Sequence, residues 1–197
     1  TSKLAALALA NDKCNITIIG NDNNKIESSN LSTFLSSSSL NFLKEIGIYN
    51  LPNESHSISE ISCSKLDQYK INNKFQINFD NKKNKDGMGS IIMNNDLNII
   101  FDLNIKNNKN IKIINQSVTK NIIFNNTKNK LIINDNIEIS ANLILISDKK
   151  SELIKNFFKE NNFIKKDLNQ TSLVMNVNTH TNKKAYQFFT KNGALAF

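Results

Sequence analysis

Apolar residues recur along this chain with two different periods, and the changes of period mark out its elements. Leu4-Ala-Ala-Leu-Ala-Leu-Ala10 is a run of strong helix formers with small packing faces. A polar break at Asn11-Asp-Lys13 follows, and Asn15-Ile-Thr-Ile-Ile-Gly20 reads as a short strand ending in glycine. Residues 22–30 are a polar loop. Leu35, Leu40, Phe42, Leu43 and Ile46 then give a helical pattern that stops at Gly47, with Ser36–Ser39 supplying N-cap oxygens. From Ile58 to Phe79 the period is two, as in antiparallel strands with one wet face. Asp86-Gly-Met-Gly89 is a turn, Ser90–Met93 a short strand, and Asn95–Ile105 most simply a helix.

Three strands follow at Ile111–Ile114, Ile122–Phe124 and Leu131–Ile133, and Asn134-Asp-Asn136 turns the last of them into Ile137–Ile139. Asn142-Leu-Ile-Leu-Ile146 is almost continuously apolar, which predicts a strand buried on both faces of a parallel sheet. Ser147-Asp148 follows it, then an amphipathic helix over Ser151–Glu160. Leu173–Asn178 and Ala185–Thr190 are expected to close the molecule as an antiparallel pair, with a turn at Asn192-Gly193. The sum is an α/β core with an antiparallel sheet inserted. Thr1 leads directly into a helix and Phe197 stops in mid-pattern, so both ends read as cuts through a larger fold.

Composition changes this picture little. The net charge of +8 comes from lysine alone, since the chain has no arginine, and asparagine supplies 37 residues. Asn, Lys and Ile share A/T-rich codons, so a biased genome accounts for the basic balance. Nucleic-acid binding would want lysines on one face with aromatics between them. Here they are scattered, the densest group (residues 81–86) reads as a solvated loop, and the best base-reading side chain is missing. No run approaches the ~18 apolar residues of a membrane span. Two cysteines are too few for a disulfide framework or a metal site. Cys14 reads as a small core residue beside a strand, and His56 and His180 as surface residues.

A carboxylate just past a buried parallel strand is where such sheets bind ligands, and Asp148 stands there. A helix cap is the other reading of it. The acid that usually holds a ribose at the end of a second strand is replaced by Gly20. There is no GxGxxG, phosphate loop or Ser/His/Asp set. On residues alone the reading is an α/β domain with an antiparallel insertion and a nucleotide-binding candidate at Asp148.

The order of segments resembles the FAD-dependent aromatic hydroxylases of ubiquinone biosynthesis, a branch of the flavoprotein monooxygenases related to p-hydroxybenzoate hydroxylase. Leu4–Ala10 with Ile16–Ile19 resembles the helix and second strand after that family's glycine-rich loop. Leu31-Ser-Thr-Phe-Leu-Ser-Ser-Ser-Ser-Leu-Asn-Phe-Leu-Lys-Glu-Ile-Gly-Ile-Tyr49 is similar to its R-T-x-A-L-S-x-x-S-x-x-F-L-x-x-I-G-x-W segment. Gly89-Ser-Ile-Ile-Met-Asn-Asn-Asp-Leu97 is similar to G-Y-I-V-x-N-x-x-L, and Leu143–Asp148 to the strand ending in A-D-G. The most specific match is Ala185-Tyr-Gln-Phe-Phe-Thr-Lys-Asn-Gly-Ala-Leu-Ala-Phe197, against A-x-Q-x-F-T-x-x-G-P-L-A-F-L-P.

The resemblance implies a partial FAD-binding domain of the glutathione-reductase-like Rossmann type, interleaved with an antiparallel β-sheet substrate domain. The FAD part would comprise residues 1–57 and 87–167, the substrate part 58–86 and 168–197. It implies FAD, NAD(P)H as reductant, and hydroxylation of the ring of a polyprenyl-phenol ubiquinone precursor. Cofactor-binding positions carry over to Asp148 near the pyrophosphate, to Asn94 and Asn95, and to Ser32 in place of a flavin-contacting arginine. The chain departs from the family at Ser32, at Gly20, at Lys149 in place of the A-D-G glycine, and at Glu152 and Lys155. A non-catalytic paralogue or scaffold of a quinone-biosynthesis complex is the alternative that these departures keep open. The polyprenyl substrate that the resemblance implies suggests a cytoplasmic protein with peripheral membrane contact, and the scattered lysines and missing arginine lead us to expect no nucleic-acid partner.

Overall fold

The computed structural model describes residues 2–11, 14–20, 31–52, 55–67, 70–81, 87–115, 119–123, 128–134, 137–147, 153–154, 166–177, 180 and 182–197. Packing divides the chain into two compact units. One comprises Thr1–Glu27 and Phe101–Leu173, the other Ser28–Ile100 and Val174–Phe197.

In the first unit, helix α1 (Ser2–Asn11) presents Ala6, Leu7 and Ala10, one residue and then one turn apart, as its buried face. Alanines there let the helix come close to β1 (Ile16–Ile19) and β7 (Ile111–Ile114). These two strands pair in parallel, Ile16 opposite Ile111 and Ile19 opposite Ile114. Lys3 and Asp102 form an ion pair at 2.6 Å. A three-stranded antiparallel sheet, in the order β10 (Ile137–Ala141), β9 (Asn129–Ile133), β8 (Thr119–Ile123), is the second layer. Its core is Ile122, Leu131, Ile133 and Leu153, with Ile19, Ile139, Ile144 and Ile146 packed around it.

Residues 142–146 correct the expectation of a strand buried on both faces. They pair with no strand among the described residues. Ile144 and Ile146 turn to the core, while Leu143 and Leu145 are exposed. An apolar run records which side chains avoid water on average; it does not record whether a neighbour covers the second face. β1 and this segment thus press on one core without belonging to one sheet. The helix expected over Ser151–Glu160 lies outside the described residues except for Leu153 and Ile154, which are helical.

The second unit holds two sheets. One is four-stranded, in the order β12 (Gly193–Ala196), β11 (Lys184–Thr190), β4 (Glu60–Asp67), β5 (Lys70–Asp80). The other runs β2 (Ser32–Ser36), β6 (Gly89–Met93), β3 (His56–Ile58). β4 and β5 form the antiparallel hairpin that the alternating pattern predicts, with a register shift at Ser64/Lys65. The closing pair differs from expectation. β11 pairs antiparallel with β12 and in parallel with β4, so both its edges are taken. Residues 173–177 form no strand and stand exposed.

Helix α2 (Ser37–Glu45) begins two residues after Leu35, because Leu35 belongs to β2. Ser36 caps it, its hydroxyl accepting from the Ser39 N–H at 3.2 Å. The helix ends where Gly47 adopts φ +89°, so that the Ile48 N–H reaches the Leu43 carbonyl at 2.8 Å. Leu40 and Leu43 are buried, as are Ile48, Ile58 and Ile92. Burying each such side chain stabilises by about 1.5–3 kcal/mol. Helix α3 (Asn94–Lys106) follows β6 without a break.

Candidate functional site: the β2–β6–α3 junction

Three of the four cofactor positions expected from the sequence meet at one place. Ser32 opens β2 and lies opposite Met93, the last residue of β6. Asn94 follows Met93 and begins α3, and Asn95 is the next residue. The Asn94 N–H donates to the Leu31 carbonyl at 2.9 Å, so the start of the helix is tied to the start of the strand. The Thr33 hydroxyl donates to Asn94 Oδ1. Ser32 and Asn95 are exposed and Asn94 is half-buried. Asp148 lies outside the described residues, as do Lys149, Glu152 and Lys155.

Thr33 was not anticipated. Its signal was the β-branched and aromatic run Thr33-Phe-Leu35 before the serines, which marks a strand. Cys14 is exposed, not a core residue, because β1 begins two positions later and leaves it in the connection. His56 and His180 are both exposed.

The junction is rich in hydroxyl and amide groups, and it carries one acid, Asp96, in the first turn of α3. Neutral donors and acceptors suit hydroxyl and carbonyl groups of a ligand. An acid in the first turn opposes the anion-favouring end of the helix, so a pyrophosphate fits poorly there. The junction therefore suits a neutral, hydroxyl- or carbonyl-bearing part of a ligand better than a phosphate.

The four-stranded sheet offers two unlike faces. On one, the Ser62 hydroxyl donates to Asn78 Oδ1 at 2.8 Å, and Gln76 Nε2 donates to Ser62 Oγ and Asn78 Oδ1, both at 3.1 Å. Tyr186 stacks on Phe188 at 6.1 Å, and Phe188 meets Phe197 edge-on at 6.2 Å. Lys184 bridges Glu60 at 2.6 Å and lies 5.4 Å from the Tyr186 ring centroid. The other face carries Cys63, Phe75, Ile77 and Phe189 along a shallow trough of about 590 Å³.

The hydrogen bond from Lys184 to Glu60 raises the lysine above its ordinary value of 10.5, against the opposing effect of desolvation; the Glu60 and Tyr186 charges add to the rise. A cation held above its unfolded pKa stabilises the fold fully below that unfolded value. The contribution is lost as pH rises through the raised folded value. Glu60→Gln should therefore melt below wild type at neutral pH, and the difference should shrink only above pH 10.5. Paired thermal melts across the alkaline range measure this, and a gap that closes below pH 9 (roughly, more than a unit under the lysine reference) contradicts it.

The chain has a mixed α/β fold of several sheets, similar to part of the fold of a halogenase solved with FAD. The solved structure that carries this comparison is a point mutant of the halogenase PltM in complex with FAD. It superposes with a TM-score of 0.55 at 11% sequence identity, over 78% of this chain and 33% of the halogenase chain. The protein thus spans about a third of the structure it matches, and the likeness concerns the fold. No protein-family model and no curated protein sequence matches the chain.

Proposed function

We infer that this chain is part of an FAD-dependent aromatic-ring monooxygenase whose substrate is a polyprenylated phenol, a ubiquinone precursor, with NAD(P)H as reductant. The observation that carries the reading is the junction at Ser32, Thr33 and Asn94. Positions assigned to flavin contact by sequence resemblance, 62 residues apart for Ser32 and Asn94, adjoin in a fold similar to that of a flavoprotein. In this reading Ser32 and Asn95 offer exposed polar groups to the flavin. Thr33 fixes the Asn94 amide so that its NH₂ side remains available. Bound FAD supplies the electron-transfer and oxygen chemistry, and the chain's share is binding, orientation and exclusion of water. The polar, aromatic-lined face of the four-stranded sheet suits a phenol ring. Stacked side chains meet the ring plane, and the exposed Gln76 and Asn78 amides offer partners for a hydroxyl.

The test is to purify the full-length protein, measure its flavin absorbance, and titrate the apoprotein with FAD. A stoichiometric yellow complex is expected. Asn94→Ala should weaken FAD binding by about tenfold, the worth of one good hydrogen bond. A folded full-length protein that retains no flavin once excess FAD has been removed overturns the reading.

A further inference from the structure

We propose that the outer edge of β5 pairs with the same edge of a second copy of this chain, antiparallel about a two-fold axis at Ile77. β5 ends the four-stranded sheet, and no strand lies along its outer edge among the described residues. It is 11 residues long, against 4 for β12 at the other end of the sheet. Long open edges are templates for further strands, and folded proteins blunt them with lysine, proline or a bulge. The first half of β5 is blunted in this way, by Lys70 and by the register shift opposite Ser64/Lys65. The second half is not. Gln76 to Asp80 keep an unbroken ladder with β4. Residues 74–80 are all exposed and contain neither glycine nor proline.

This segment is complementary to its own reverse. An axis at Ile77 sets Ile77 on Ile77 of the second copy, Phe75 on Phe79, Gln76 on Asn78 and Lys74 on Asp80. Two-fold symmetry repeats each unlike pair. Directly opposed residues share a face of the joined sheet, so apolar side chains meet apolar ones and polar meet polar. Phe75, Ile77 and Phe79 are 61%, 60% and 49% exposed, and the pairing covers their flanks on the side where β5 has no neighbour. Other axes fit less well. One at Phe75 would run across the register shift, and one at Gln76 or Asn78 leaves no lysine opposite Asp80. Charge favours the same occupant. The protein carries +8, yet residues 74–80 hold one lysine and one aspartate, so two copies meet at a neutral seam. The pairing uses both β5 edges and leaves only the 4-residue β12 at each end, so the assembly closes at two. No residue of this edge belongs to the β2–β6–α3 junction, so failure here and failure of flavin binding are separable.

The experiment is sedimentation velocity of the full-length protein over a concentration series, where a dimer is expected. Lys74→Asp and Asp80→Lys should each raise the dissociation constant by about tenfold, because like charges replace opposite ones at two symmetric places. The two changes combined should restore wild-type association. Ile77→Lys should give a monomer, since symmetry opposes the new charge to its own copy, and its affinity for FAD should equal that of wild type. Phe189→Ser, on the same face but in the inner strand β11, should leave the dimer intact. Far-UV circular dichroism and melting temperature establish that each variant is folded. A folded protein that stays monomeric at roughly 0.1 mM overturns the proposal and leaves the edge to a strand of another protein. A dimer that Ile77→Lys does not weaken overturns it too, as does a charge exchange that fails to restore association. Loss of the dimer on Phe189→Ser would overturn it by assigning the contact to stacked apolar faces.

Discussion

Gly89→Ala is expected to unfold the sheet that carries the candidate site. Gly89 begins β6 and lies between Ser36 of β2 and Ile58 of β3, with φ +153°. A methyl group there would stand 2.1 Å from the Leu35 carbonyl oxygen and 2.8 Å from the Phe34 ring. The ring can turn. The carbonyl belongs to the paired strand and can retreat only by breaking the ladder. Backbone strain and overpacking together should cost about 3 kcal/mol or more. That is a large fraction of the roughly 5–15 kcal/mol that holds a typical domain together. Urea denaturation measures the loss. The same variant should lose FAD affinity even where it remains folded, because β2 and β6 set Ser32 beside Asn94. A variant as stable as wild type would mean that the two backbones are further apart than described.

The second large effect is expected at Ile133→Ala. Ile133 is fully buried at the centre of the cluster formed with Ile122, Leu131 and Leu153. The cluster draws on strands β8 and β9 and on residue 153, so the space left by three carbons is walled from several directions and cannot close by one small shift. A loss of about 2–5 kcal/mol follows, part from transfer to water and part from the cavity. Ile137→Ala, in the same antiparallel sheet but 48% exposed, is the control and should cost less than about 1 kcal/mol. Equal midpoints for the two variants would show that the cluster is not the core of its unit.

Much of the architecture can be read from the chain, for local reasons. α1, α2 and α3 follow from helix formers, a serine cap and a glycine stop, all of which act within a few residues. β1, β7, β9 and β10 follow from short apolar runs bounded by Asn and Gly. The sequence is silent on which strands adjoin. Alternation in Ala185–Thr190 announces a strand but not that it lies parallel to β4. The same alternation in 173–177 announces a strand where none forms. Leu143 and Leu145 are apolar and exposed, and periodicity gives no sign of that. At the site, Ser32, Asn94 and Asn95 are legible only through resemblance to a family, since three small polar residues carry no chemical signature of their own. Thr33 is missed because its importance lies in a hydrogen bond across the sheet.

The parallel pairing of β4 with β11 has a cost during biosynthesis. Lys184 and Glu60 are 124 residues apart in the chain and adjacent in the sheet. A ribosome adding ~5–20 residues per second needs on the order of ten seconds to make the intervening chain. For that interval β4 lacks its β11 partner and keeps an open edge, the kind of unpaired strand that nascent-chain chaperones bind.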